Sequence, residues 1–164
     1  STQGVSSAAS DVYKRQGFAE GSRVVQARFL GFLGACNKYG IETDQRMLFT
    51  RPSNNVYFGY SMVEEAVEQM PFIPDAIICE NDDIAKYTAT VLLRKDPMLA
   101  EKTVITGFDN TIEPDFFKKD ITTVDVRIEA LGRRLVKSVV DRIKDPSMDI
   151  CFVTLATYPI LDKK

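Results

Sequence analysis

Histidine is absent from the 164-residue chain. That absence removes Ser–His and Cys–His nucleophilic pairs, histidine general bases and every histidine-containing zinc site. Neither a GxxxxGKS/T phosphate loop nor a GxGxxG fingerprint occurs. Gly31-x-x-Gly34 falls inside a helical pattern and reads as close packing instead. No apolar run approaches the length of a membrane span, and the N-terminus lacks the apolar core of a signal peptide. Charge is nearly balanced, with a formal net charge of -2 and a pI near 5.3, so the chain carries no electrostatic footprint for nucleic acid. Cysteine is scarce. Cys36, Cys79 and Cys151 are widely spaced, odd in number and without a CxxC pair. Two of them fall in apolar helix or strand patterns, which predicts buried thiols in a reducing compartment.

What is present suffices for one compact α/β domain. The chain is 45% hydrophobic and 27% charged, enough to bury a core and not disordered by composition. Residues 1–16 stand apart from the rest. They begin as a Ser/Gly/Ala stretch without hydrophobic period. Ser6-Ser7-Ala8-Ala9-Ser10-Asp11-Val12-Tyr13-Lys14-Arg15-Gln16 resembles the in-frame translation of a common transposase-type sequencing adapter. The expectation is therefore a non-native or disordered leader over 1–16, with native sequence from Gly17 to Lys164.

The strongest local signal is a pair of short apolar strands ending in carboxylate-bearing loops. Ala76-Ile77-Ile78-Cys79 runs into Glu80-Asn81-Asp82-Asp83, and Thr103-Val104-Ile105-Thr106 runs into Gly107-Phe108-Asp109-Asn110. One helix-length stretch lies between them. Continuous apolar runs are what parallel strands covered on both faces require, and ligands bind beyond the carboxyl ends of such strands. Upstream, Ser22 can cap a helix with the stripe Val25, Phe29, Phe32, Leu33 and Cys36, closed by Gly40 in a left-handed turn. Met47-Leu48-Phe49 reads as a strand and Arg51-Pro52-Ser53-Asn54-Asn55 as the loop after it. A second helix from about Val56 turns Tyr60, Val63, Val67 and Met70 inward and stops before Pro71. The helix starting at Asn81 or Asp82 turns Ile84, Thr88, Val91 and Leu92 inward and ends before Pro97. The chain then becomes irregular through Thr111-Ile112-Glu113-Pro114. Ile121-Thr122-Thr123-Val124 is a further strand, 128–143 a long amphipathic helix, and 150–155 and 158–161 two final strands. The fold class is α/β, a mostly parallel sheet flanked by helices.

Asp109 is the leading candidate for ligand contact. A carboxylate at a strand end accepts two hydrogen bonds from adjacent hydroxyls or ring nitrogens. Its alternative is a turn former bonding its own loop, which Gly107 and Asn110 make reasonable. Asn81 suits both a helix cap and a ligand contact. Arg28 on its own reads as a solvated arginine. Glu80, Asp82 and Asp83 could in principle hold a hard cation, but acids in a helix's first turn complement its dipole. A carboxylate pair such as Asp82 with Asp109 is singled out by no spacing rule. No catalysis, metal or cofactor is expected.

Five blocks in order resemble the effector-binding domain of the LacI/GalR family of bacterial transcription regulators. They are Arg28-x-x-Gly31-Phe32, Pro74 to Asp82, Gly107-Phe108-Asp109-Asn110, Ile121-Thr122-Thr123-Val124 and Gly132, with Thr154 to Ile160 resembling the terminal strand pair. The resemblance implies a periplasmic-binding-protein-like (type I) fold of two lobes, here incomplete. It implies a small-molecule effector, a sugar or similar metabolite, contacted by Arg28, Asn81 and Asp109. Asn54 stands where family members often place a stacking aromatic. A cytoplasmic homodimer is implied for the intact protein, touching DNA only through an N-terminal helix-turn-helix missing here and touching no membrane. Most of the amino-terminal lobe and the first strand of the other lobe would be missing too. The helix around 131–143 would belong to the absent lobe, the first helix should expose apolar surface, and ligand should bind poorly. An extracytoplasmic sugar-binding protein of an ABC importer, or a sensor fused to a signalling enzyme, shares the fold.

Overall fold

The computed structural model describes residues 5–8, 23–43, 46, 48–49, 59–111, 120–149 and 153–160. Within them the elements run β1 (Val5–Ala8), α1 (Arg23–Tyr39), β2 (Leu48–Phe49), α2 (Tyr60–Gln69), β3 (Ala76–Cys79), α3 (Asp82–Lys95), α4 (Pro97–Lys102), β4 (Val104–Thr106), β5 (Ile121–Asp125), α5 (Ile128–Lys144) and β6 (Tyr158–Ile160). The strands form one sheet in the order β2-β1-β3-β4-β5-β6. All neighbours are parallel except β6, which runs antiparallel to β5. The α/β, mostly parallel architecture is as the sequence implies.

The side-chain alternation of β3 shows how the sheet is covered. Ile77 and Cys79 are buried in a cluster with Val63 and Val67 of α2, Ile84 and Leu92 of α3, and Ile105 of β4. Ile78 points to the other face and joins Phe29, Phe32 and Cys36 of α1. Helices on both faces are what a right-handed parallel crossover delivers. The first face is the more complete. Ile77, Leu92, Ile105, Val63 and Val67 are essentially inaccessible, and each such side chain contributes about 1.5–3 kcal/mol by leaving water. Tyr60 meets Tyr87 edge-on at 5.9 Å where α2 crosses α3.

Local chemistry sets the helix ends. Asn81 caps α3, its side chain accepting the Ile84 N–H at 3.0 Å, with Asp82 and Asp83 in the first turn and Arg94 and Lys95 in the last. Gly40 has φ +65 and closes α1, with the Ile41 N–H on the Cys36 carbonyl at 2.8 Å. Helix α4 was not foreseen. Pro97 ends α3 as expected, but it also occupies the first turn of a new helix that Asp96 caps through the Met98 and Leu99 amides.

Several expectations fare differently. Residues 1–16 lack a hydrophobic period, yet Val5–Ala8 pairs in register with Ala76–Cys79 on one side and with β2 on the other. The position expected to lack its strand is therefore occupied. A parallel ladder is built from main-chain groups, which a short extended segment supplies to both neighbouring edges. Val153–Leu155 is not a strand, against the pattern over 150–155; residues 150–152 lie outside the described residues. Of the apolar surface expected on α1, Leu30 is 60% exposed, but the larger face lies on α5, which buries nothing. The Ser22 cap, residues 51–58 with Asn54, and Ile112-Glu113-Pro114 also lie outside the described residues. Among the described residues no helix is long and apolar enough to cross a membrane.

Candidate functional site

In the order β2-β1-β3-β4, connections leave to opposite sides between β1 and β3, the switch point at which open parallel sheets hold ligands. The residues singled out by the sequence gather near the carboxyl ends of β3 and β4. Arg28 reaches from α1 across to both loops. Its Nη1 donates to the Glu80 carbonyl at 2.7 Å and its Nη2 to Asp109 Oδ1 at 3.1 Å. The guanidinium lies over the Phe108 ring, 3.7 Å from its centroid. The solvated arginine that the helix pattern alone suggests is thus a half-buried one, 23% exposed against 33% for Asp109. Its Nε is buried with no hydrogen-bond partner among the described residues.

Asp109 is held in an uncommon backbone conformation. Its φ is 102 and that of Asn110 is 57, both positive in non-glycine residues. Such conformations cost about 1–3 kcal/mol each and persist only where surroundings enforce them. Here the Gly107 N–H donates to the Thr122 carbonyl at 2.7 Å and the Asp109 N–H to the Val124 carbonyl at 3.0 Å, tying the loop to β5. The Asn110 N–H donates to Thr123 Oγ1 at 3.3 Å. The turn-forming and ligand-facing readings of Asp109 are therefore compatible. The backbone makes the turn while the carboxylate faces Arg28.

Asn81 spends its side-chain oxygen on the α3 cap, which leaves its amide nitrogen as the donor. The acidic group beside it is not a cation cradle. Asp82 is fully buried and accepts from the Thr123 hydroxyl at 2.6 Å and the Thr111 N–H at 2.7 Å, while Asp83 pairs with Lys86 at 3.0 Å. Burial also takes Asp82 away from any carboxylate partnership with Asp109. Asn54 lies outside the described residues. Beyond Asp109 a cavity of about 340 Å³ continues along Asn110, Asp125, Arg127 and Arg133. Arg127 has φ 55, with its N–H on Asp125 Oδ1 at 2.7 Å and its guanidinium 5.7 Å from the Tyr158 ring.

Sequence reasoning missed Phe108, the Glu80 carbonyl and the Asp82–Thr123 pair. A signal for the first existed, since an aromatic immediately before a strand-end aspartate has a face to offer a cation. Both described cysteines are buried. Burial pushes the Cys79 thiol up to about 12, partly opposed by its hydrogen bond to Thr88, with the nearby Asp82 charge adding to the rise. Cys36 is buried and raised as well, again by desolvation. Cys151 lies outside the described residues.

Comparison with known proteins places this geometry. The model of the periplasmic binding protein-like domain matches residues 13–160. The HTH-type transcriptional repressor PurR of Pasteurella multocida (strain Pm70) is 26% identical over 141 residues, 84% of this chain and 41% of that repressor. A LacI-family transcriptional regulator from Sanguibacter keddieii DSM 10542 superposes with a TM-score of 0.76 at 18% identity, covering 97% of this chain and 57% of that one. The complex of the regulator CelR with cellobiose gives a TM-score of 0.74 at 18% identity, covering 98% and 46%. The chain thus spans less than half the length of the PurR it matches. Its fold is shared with solved LacI-family regulators, and by the match over residues 13–160 the chain belongs to the periplasmic binding protein-like domain family.

Proposed function

We propose that this chain is part of the ligand-sensing domain of a cytoplasmic, dimeric LacI/GalR-type transcriptional regulator, without catalytic activity. The observation that carries the reading is Arg28 reaching 3.1 Å to Asp109 at the carboxyl ends of the parallel strands. The two charges compensate each other, so the site suits an uncharged polyol better than an anion. A sugar inserts between them with one hydroxyl accepting from the guanidinium and its neighbour donating to the carboxylate. Asn81 adds an amide donor and Phe108 an apolar backing. The similarity to a repressor, and to a regulator solved with cellobiose, supports a sugar or related metabolite as effector. DNA contact belongs to a helix-turn-helix encoded upstream.

On this reading, residues 17–164 are the carboxyl-terminal part of the domain, and 1–16 are a leader of foreign origin. Reading the source DNA upstream of the Gly17 codon tests both points. An in-frame helix-turn-helix followed by the other lobe supports them; a signal peptide there makes the same cleft a transport receptor. In the intact regulator, Asp109→Ala should abolish the response to effector while operator affinity is retained, as read by gel shift with and without sugar. Unchanged induction in that variant would remove Asp109 from the site.

A further inference from the structure

One residue outside the proposed contact set holds the loop that carries Asp109 from both ends. Asp82 is fully inaccessible. Its own N–H donates to the Phe108 carbonyl at 3.0 Å, and its Oδ2 accepts the Thr111 N–H at 2.7 Å. Those two anchors bracket Asp109 and Asn110, the pair in left-handed conformations. The remaining carboxylate oxygen takes the Thr123 hydroxyl at 2.6 Å, and the same Thr123 oxygen accepts the Asn110 N–H. Gly107 makes room for this arrangement. A Cβ there would sit 2.2 Å from Asp82 Oδ1, so a side chain at 107 and the carboxylate exclude each other.

We propose that Asp82 is a positioning residue, whose clamp on Phe108, Thr111 and, through Thr123, Asn110 sets the direction in which Asp109 presents its carboxylate. The proposal rests on Asp109 being a ligand contact, but the geometry it invokes exists without ligand. A buried carboxylate satisfied by hydroxyl and amide donors is a costly way to fill space, since an apolar side chain would fill it without a charge to solvate. Its return is backbone direction. Each donor lies on a different segment, so one side chain registers the start of α3, the β4 loop and β5 against each other.

The test is NMR on the ligand-free chain, comparing wild type, Asp82→Ala, Asp82→Asn and Thr123→Val. The three-bond HN–Hα couplings and Cα shifts of Asp109 and Asn110 report φ, and amide exchange reports Thr111. Asp82→Ala should move both φ reporters out of the left-handed range and speed Thr111 exchange about tenfold or more, the loss of one charge-assisted bond. Amides of Val63 and Leu92 should keep their shifts. Asp82→Asn retains one acceptor and should recover most of the loop signature. Thr123→Val keeps volume, removes both the Asn110 acceptor and the donor to Asp82 Oδ1, and should move the Asn110 reporter while the Thr111 anchor on Oδ2 stays; it supplies the answer if Asp82→Ala fails to fold. Unchanged φ reporters in the folded variants, or exchange rising equally across the core, would overturn the clamp. Titration with cellobiose separates the two proposals. An intact regulator deaf to sugars, with the loop result intact, removes the sugar reading and keeps the clamp.

Discussion

Helices α3 and α5 are written in the same language and end in opposite situations. Both carry an apolar face, acids in the first turn and basic residues in the last. Helix α3 buries Ile84, Ala85, Thr88, Ala89, Val91 and Leu92 against the sheet and α2. Helix α5 buries none of its residues: Leu135 is 59% exposed and Ile143 72%. A concavity of about 390 Å³ along Leu135, Val139, Ile143 and Met148 remains open to water. Amphipathic periodicity therefore specifies a helix and the face it wants covered, while what covers it lies elsewhere in the fold. Among the described residues the larger buried cluster is on the α2–α3 face, and the strands whose ends carry Asn81 and Asp109 contribute to it, while Arg28 comes from α1 on the other face.

The same truncation on both helices tests this contrast most sharply. Leu92→Ala should cost about 2–5 kcal/mol in chemical denaturation, as buried leucine truncations do. Next in size, Asn81→Ala removes the α3 cap and should cost about 1 kcal/mol, visible as a lowered thermal midpoint. The alkaline limb comes next. Because burial raises the Cys79 thiol from 9.0 to about 12, its neutral form is favoured in the folded chain. That contribution is fully present below pH 9.0 and declines as pH rises toward about 12. Cys79→Ala should flatten the fall in stability over that window, and in the native wild type Cys79 should resist alkylation at pH 8. The smallest effect belongs to Leu135→Ala on α5, which should stay within about 0.5 kcal/mol. A loss there comparable to that of Leu92→Ala would erase the contrast.

How much was legible follows the same division. The β3–α3–β4 unit was readable because its apolar runs, cap and Pro97 stop all point one way, and Ile84, Thr88, Val91 and Leu92 turn inward as their spacing requires. Strand β1 was not readable, since its four residues carry no strand pattern and its observed link to the sheet is main-chain pairing with β2 and β3. Helix α4 is hidden in the sequence because Pro97 both stops α3 and opens the next helix. At the site, Asp109 and Arg28 were nameable in advance, but their 3.1 Å pairing spans 81 positions of sequence. No local rule reaches that far. Asp82 was legible as a dipole-complementing acid, a possible cation ligand or a carboxylate partner of Asp109, but not as a clamp, because Thr123 and Thr111 meet it through tertiary contacts.

The most direct test of the account is a titration of the isotope-labelled chain with uncharged sugars, D-ribose, D-glucose and cellobiose, followed residue by residue. The account predicts weak, saturable shifts confined to Arg28, Asn81, Phe108, Asp109 and Asn110, abolished by Asp109→Ala without change in the α3 core. Shifts confined to the open face of α5, or a response that survives Asp109→Ala, would contradict it.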